Sequence, residues 1–381
     1  MKIYKILIIG QPYDKHQIRF ITNLKTENPN VQVDFFSFYK DRPMPQELQN
    51  YINNDYCLYN HLGTRYGKLW FIYDIIDIIR LRRMFSKIDE YYDVVNIHFP
   101  SYRYSFVVNQ LKRMSKTIIV TPWGSDIYRR SKLQLYLLKK LYKEADYITA
   151  VSEKFKIDIR RILKIPDLKI EVLDIASDTI DYIAEHKKII NVDEAKRTLN
   201  VQGRYVVCCG YNGHLSQQHE KIIKAIQDVR YEFPFKVVLF LPFMYGGNNV
   251  YKEKILNLVK SFDLDYVLFD RYLDKRQMFL LEQASDMMIH IQSTDASSCT
   301  VQEFLLLEKK IINGSWLKYP NLIIGGVLPY FETPDADGLN SVISNSLRTE
   351  ISIPQATLKY IENCGWKYWR KKWNLFFESF L

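Results

Sequence analysis

Two segments of the chain set acids, small hydroxyl residues and turn formers at spacings that suit a phosphorylated ligand. The first runs Ile291-Gln292-Ser293-Thr294-Asp295-Ala296-Ser297-Ser298-Cys299-Thr300-Val301-Gln302-Glu303 and leads into the apolar run from Phe304 to Leu307. A serine before an apolar helix caps it through its hydroxyl, so Ser297 or Ser298 is expected at the N-cap. First-turn amides, that of Thr300 among them, then face an anion such as a diphosphate. Glu303 falls about one turn inside the helix. Helical side chains lean toward the N-terminus, which brings its carboxylate toward the hydroxyl pair of a ribose carried by that diphosphate. The same residues also read as a capped helix whose acid matches the helix dipole.

The second segment, Thr121-Pro122-Trp123-Gly124-Ser125-Asp126-Ile127-Tyr128-Arg129, follows a β-branched run. Gly124 permits a tight turn. Asp126 can orient hydroxyls or act as a general base, or it can cap the short helix that follows. Arg129 stands where a phosphate can approach. His98, in Asn96-Ile97-His98-Phe99-Pro100, ends the preceding apolar run and is either a catalytic imidazole or a satisfied core histidine. A third loop, Gly210-Tyr211-Asn212-Gly213-His214, has two glycines that allow backbone to approach a phosphate. It does not match the GxGxxG fingerprint. Arg271, after another apolar run, is a candidate cation for the same anion or a surface arginine.

The elements that must position these residues alternate between short apolar runs and longer helical patterns, which predicts two parallel sheets crossed by helices. In the first half, strands are expected at 5–9, 31–38, 94–98, 117–121 and 147–151, with helices at 16–26, 69–86, 104–114 and 133–143. After a polar stretch from 175 to 203, helical near 192–199, a second series begins. Its strands are expected at 205–209, 236–241, 266–269, 287–290 and 310–312, with helices at 220–231, 250–262, 274–284 and 300–307. Every candidate loop follows a strand, where open parallel sheets bind ligands. The two halves show no evident residue-level repeat. The expected domains are 1–175, 203–353 and a C-terminal helix, 354–381, crossing back to the first.

A chain of 381 residues has room for two cores, and 47% hydrophobic residues with 25% charged ones exclude a disordered protein. A net charge of +10 favours anionic partners. The basic residues are spread out and no nucleic-acid module is present, so nucleic acid is not an expected partner. Five cysteines without metal-ligand spacing fit a reducing cytoplasm. The start, Met1-Lys2-Ile3-Tyr4-Lys5, runs into a strand pattern, so no signal sequence is expected. No apolar run is long enough to span a bilayer, since Asp74 and Asp77 interrupt the one after Leu69. At the other end, Trp366, Trp369, Trp373 and Phe377 form an aromatic stripe at helical spacing, favoured as core over a membrane-lying face. The stretch from Trp70 to Phe85, with Arg80, Arg82, Arg83 and Lys87, is the better candidate for an anionic membrane surface.

Asp295 and Glu303 are separated by seven residues, and this segment resembles the donor-binding segment of the retaining GT-B glycosyltransferases with two acids at that spacing. Asp stands here where Glu is usual. The Thr121–Asp126 stretch resembles the same family's Thr-x-His-Gly-x-Asp segment. With Trp123 in place of the histidine, and with the Gly210–His219 loop, the chain also looks like the bacterial fucosamine-type transferases of polysaccharide synthesis. The resemblance implies the GT-B fold, α/β, with two Rossmann-like doubly wound domains facing a central cleft. It further implies a transfer of sugar from a nucleotide-diphosphate donor to a saccharide acceptor, lipid-linked in the favoured reading. Glu303 is then the ribose ligand and Asp295 lies near the sugar, with Gly210, Asn212, Gly213, His214, Arg271, Ser297, Ser298 and Thr300 lining the donor. Tyr13, His16, Trp123, Gly124 and Arg129 would contact the acceptor, and Asp126, His98 or Asp14 would supply a base if the reaction inverts. No cofactor and no metal are expected, since no Asp-x-Asp motif stands on a suitable loop. A cytoplasmic enzyme, peripheral on the inner face of the membrane, is the expected setting. A GT-B sugar-nucleotide epimerase and a non-catalytic nucleotide-sugar binder remain the alternatives.

Overall fold

The computed structural model describes residues 4–40, 43–59, 70–166 and 169–381. Met1–Ile3 and the Leu69 start of one expected helix lie outside them. The chain divides into two compact units, one of Met1–Ile175 with Trp366–Leu381, the other of Ala176–Gly365.

Among the described residues, the first unit is built on seven parallel strands: β1 Lys5–Gly10, β2 Gln32–Ser37, β3 Asp55–Cys57, β4 Tyr92–His98, β5 Ser115–Thr121, β6 Tyr147–Ala150 and β7 Ile170–Val172. Their order is β3-β2-β1-β4-β5-β6-β7. The chain therefore moves outward from β1 on one side, then returns to lay β4 on the other. That reversal between β1 and β4 is the topological switch point at which such sheets open a crevice. Parallel strands buried on both faces need continuous apolar runs, and Ile6 to Ile9 are all fully buried.

The C-terminal helix Trp366–Glu378 belongs to this unit. Its aromatic stripe is core: Trp366, Trp373 and Phe377 are buried, and Trp373 meets Phe20 edge-on at 4.9 Å. The Trp373 indole N–H donates to the Asp174 carbonyl at 2.8 Å. One helix over 354–381 does not form. Gln355–Glu362 stays with the second unit, the chain turns at Asn363, and only Trp366 onward joins the first.

The second unit carries six parallel strands: β8 Tyr205–Cys209, β9 Val237–Pro242, β10 Asp265–Phe269, β11 Met287–His290, β12 Lys310–Gly314 and β13 Phe331–Thr333. The order is β10-β9-β8-β11-β12-β13, so its switch point lies between β8 and β11. Alternate residues feed two cores. Cys208, Phe240, Met288 and Ile311 face one, while Cys209, Leu239, Ile289 and Ile312 face the other. Both Cys208 and Cys209 are free thiols, as are the other three cysteines.

The polar stretch before β8 is not a plain linker. Asp178–His186 forms a helix capped by Ser177, and its Ile180 and Ile183 enter the second unit's core. The helix expected over 104–114 is broken into a 3-10 turn, Tyr102–Phe106, and an α-helix, Val108–Met114.

Candidate active site

At the carboxyl edge of the first sheet, Phe99 adopts a φ of 49°, a conformation bulky residues avoid. It turns the chain sharply after β4 and stacks its ring on Trp123 at 4.6 Å and 10°. Trp123 also lies 5.6 Å from the His16 ring. Its indole N–H donates to His98 Nδ1 at 3.3 Å. Since Nδ1 accepts, the ring proton sits on Nε2, which is buried without a partner. Burial pushes the His98 imidazole down to about 3, so it is neutral and holds the Trp123 indole. The reading of His98 as a satisfied core histidine is thus half right: one nitrogen is satisfied and the other is not.

Asp126 shapes the turn that presents Trp123. Its Oδ1 accepts from the backbone N–H groups of Trp123 and Gly124, both at 2.9 Å, while Gly124 takes a φ of 107° that favours glycine. The alternative role as helix N-cap is not taken up, because Asp126 lies inside the four-residue helix Ser125–Tyr128 and bonds backward to the turn. Oδ2 is buried and unpartnered, and burial, only partly offset by the amide bonds, pushes the carboxyl up to about 6. Asp14 is occupied differently, since its Oδ1 accepts from His16 N at 2.9 Å and Gln17 N at 3.1 Å, capping the helix Lys15–Glu27. Tyr13 and His16 are half-buried on the same post-β1 loop and helix start, and Arg129 is exposed at the end of the Asp126 turn.

In the second unit, β11 ends in His290 and the following loop carries Asp295. Asp295 Oδ2 accepts from the Tyr319 hydroxyl at 3.0 Å and lies 3.5 Å from His290 Nε2, which itself meets the Tyr319 oxygen at 2.9 Å. The carboxylate is therefore fixed, with Tyr319 and His290 fully enclosed behind it. Beside it, Gln292 joins the loop after β8: its Oε1 accepts from the Tyr211 hydroxyl at 3.1 Å and from Gln217 Nε2 at 2.7 Å. Gly210 has a φ of 67°, and a Cβ there would overlap the Gln217 amide. Asn212 accepts from His214 N at 2.9 Å, and Gly213 lies so close to Gly247 that a Cβ on Gly247 would meet the Gly213 carbonyl oxygen at 2.6 Å. The His214 imidazole accepts from Ser216 N at 3.1 Å.

Ser298, not Ser297, caps the helix Cys299–Leu306 by accepting from Val301 N at 3.3 Å. Ser297 and Thr300 are half-buried at that helix start. Glu303 is not grouped with Asp295: it is 4% exposed, accepts from the Ser177 hydroxyl, and abuts Glu282. Glu282 is fully buried, and burial together with the neighbouring Glu303 raises its carboxyl well above the usual range. Arg271 is exposed after β10, two strands away from β8, and joins none of these contacts.

The two switch points share a pattern that the sequence reading missed. Gly10 ends β1 and Gly210 directly follows β8, and Gln17 and Gln217, seven residues on, press their amides against them. His98 and His290 end the strands across the switch point, both buried. The signal was present as two Gly-x6-Gln segments, each opening on the end of an apolar run. Tyr319, Gln292 and Ser177 were also missed, because nothing local marks them.

Residues 26–178 match Glycosyltransferase Family 4. No curated protein sequence matches the chain. Among solved structures, sucrose-phosphate synthase from Thermosynechococcus elongatus superposes with a TM-score of 0.72 at 14% identity, covering 99% of this chain and 98% of that one. HepE of Anabaena, in complex with UDP and glucose, gives 0.69 at 14% identity, covering 99% and 100%. A glycosyltransferase from Rickettsia africae gives 0.71 at 14% identity, covering 100% and 99%. The chain thus has the GT-B glycosyltransferase fold along its length, and its first unit resembles Glycosyltransferase Family 4.

Proposed function

We propose that the protein is a glycosyltransferase that moves a sugar from a nucleotide-diphosphate donor to a saccharide acceptor. The acceptor in this reading is lipid-linked and belongs to bacterial surface glycan synthesis. The observation that carries it is the assembly at the β8–β11 switch point. There the glycine turn at Gly210–Gly213, the capped start of the helix Cys299–Leu306 and the anchored Asp295 stand on neighbouring strands. Backbone amides and the positive end of a helix dipole suit a diphosphate, whose charge grows as the glycosidic bond breaks. Tyr319 and His290 hold Asp295 where a sugar attached to that diphosphate would meet it. Ribose hydroxyls would take over the place that the Ser177 hydroxyl occupies on Glu303.

On the first unit, Trp123 and His16 offer an aromatic wall for an acceptor saccharide. Of the three candidate bases, Asp126 suits the role best. Its Oδ2 is uncommitted and its carboxyl titrates near neutrality, whereas His98 is held neutral and Asp14 caps a helix. Fold and family likeness to sugar transferases support the reading over nucleic-acid binding. HepE, solved with UDP and glucose, makes a uridine donor the first to try. We further propose a metal-independent reaction at the cytoplasmic face of the membrane.

The test is an end-point assay with UDP-, GDP-, dTDP- and CMP-sugars, with and without an oligosaccharide acceptor, in the presence of a chelator. Release of nucleotide that requires acceptor and survives the chelator is the expected result. Conversion of the sugar without acceptor would identify an epimerase, and binding without turnover a non-catalytic relative.

A further inference from the structure

The helix Trp70–Phe85 of the first unit buries Leu81 and Phe85 toward its end, but over its earlier turns the usual pattern of a surface helix is reversed. Its acids face the protein: Asp74 is 8% exposed and Asp77 2%. Asp74 accepts from the Tyr102 hydroxyl and from Arg103 Nε at 3.0 Å, while Asp77 accepts from the Tyr59 hydroxyl. Its isoleucines face out: Ile72, Ile75, Ile76 and Ile79 are 40%, 53%, 37% and 43% exposed, with Tyr73 beside them at 39%.

At 100° per residue the isoleucines share one arc with Arg80, Arg82 and Arg83, and Lys87 follows in the turn just past the helix end. All four cations are exposed. The outward arc is therefore apolar along its first turns and basic along its last, and it carries no acid. Asp89 and Glu90 lie beyond the helix end, and Glu90 is paired with Lys5. Arg82 also donates through Nε to the Phe106 carbonyl at 3.1 Å, and Phe106 extends the apolar surface at 36% exposure.

Asp74 and Asp77 are paired inside with Arg103 and two tyrosine hydroxyls, so the uncompensated face in water is the outer one, where four isoleucines and Tyr73 stand exposed together. The arrangement makes sense if the outer face meets something both apolar and anionic. We propose that this face docks on an anionic lipid surface, with the isoleucines entering the acyl boundary and the arginines meeting headgroup phosphates. Charge complementarity selects this occupant: three arginines on a helix face without an acid suit anionic headgroups, and the chain as a whole carries +10. A second copy of the same face would bring like charges together. No helix among the described residues is long and apolar enough to cross a membrane, so the contact is one of lying on the surface. The proposal does not depend on sugar transfer, although it would bring a lipid-linked acceptor to the first unit.

Flotation of the full chain with phosphatidylglycerol-containing vesicles, against pure phosphatidylcholine, tests it. At ~0.1 M salt the protein should float with the anionic vesicles only, and raising the salt toward ~1 M should release it. The double variants Ile75→Ser/Ile79→Ser and Arg83→Glu/Lys87→Glu should each lose at least about tenfold in binding, because insertion and headgroup attraction act together. Their melting temperature and nucleotide binding, read on the same samples, should stay unchanged. Equal binding to neutral vesicles, no flotation, or unchanged flotation of both variants would overturn the proposal. So would a wild-type dimer that Ile75→Ser/Ile79→Ser converts to monomer, since the face would then be a self-contact.

Discussion

Asp126 shows how one carboxylate can be both structural and chemically poised. Its Oδ1 fixes the turn beneath Trp123, and an amide oxygen would serve equally well there. Its burial has a cost that depends on pH. Below about 4 the group is protonated folded or unfolded and contributes nothing. Between 4 and 6 the unfolded chain releases the proton that the folded one keeps. Above 6 the folded state carries the full penalty, about 3 kcal/mol for a shift from 3.8 to about 6. Wild-type protein should therefore lose stability from this group as pH rises through that window. Asp126→Asn should remove that component, melting higher than wild type at pH 8 and no higher at pH 4, while Asp126→Ala should melt lower than Asp126→Asn at both. Thermal unfolding of the three proteins across pH checks this. Asp174, pushed up to about 7 by burial, acts in the same direction and is common to all three. If Asp126→Asn also abolishes transfer while leaving nucleotide binding intact, the proton-accepting role gains direct support.

At the scale of elements, ten of the thirteen strands were legible because parallel strands buried on both faces must be continuous apolar runs, as Tyr205–Cys209 and Met287–His290 are. The three that were not, Asp55–Cys57, Ile170–Val172 and Phe331–Thr333, are three residues long and lie at or next to a sheet edge. A pattern with period two has no length over which to show itself there. Asp178–His186 was hidden for another reason: Ile180 and Ile183 are buried in the second unit's core and Tyr182 packs against it, but they are set among Asp178, Thr179, Asp181, Glu185 and His186, which give the segment a polar reading. The terminal aromatic helix was legible because large rings at helical spacing gain most by burial. Truncating Trp373→Ala removes an indole that touches Phe20 and Phe377 and donates to the Asp174 carbonyl. It should cost about 3–5 kcal/mol, the range for large-to-small changes in a packed core. Chemical denaturation should show that loss in the transition of the first unit. An equal loss in the second unit would mean that the two do not unfold separately.

Across the whole molecule, the same device is used twice: a glycine at the carboxyl end of the first strand, a glutamine seven residues on, and a buried histidine ending the strand across the switch point. The sequence showed two sheets but not this repeat, since its three members are brought together only by strand order. The same distance in sequence separates what the local motif suggested from what was assembled around Asp295 and Glu303. Asp295 is fixed by Tyr319, 24 positions away, and Glu303 by Ser177, 126 away. Local spacing predicted the acids, and tertiary packing chose their partners. The donor site proposed for the second unit can be tested by calorimetric titration of the intact chain with UDP-, GDP- and dTDP-sugars. One of these donors should bind saturably, and Glu303→Gln and Asp295→Asn should each weaken it at least about tenfold, the loss of one hydrogen bond to a charged group, while Asp14→Asn leaves it unchanged. Absence of binding by every donor, or binding untouched by both acid substitutions, would contradict it.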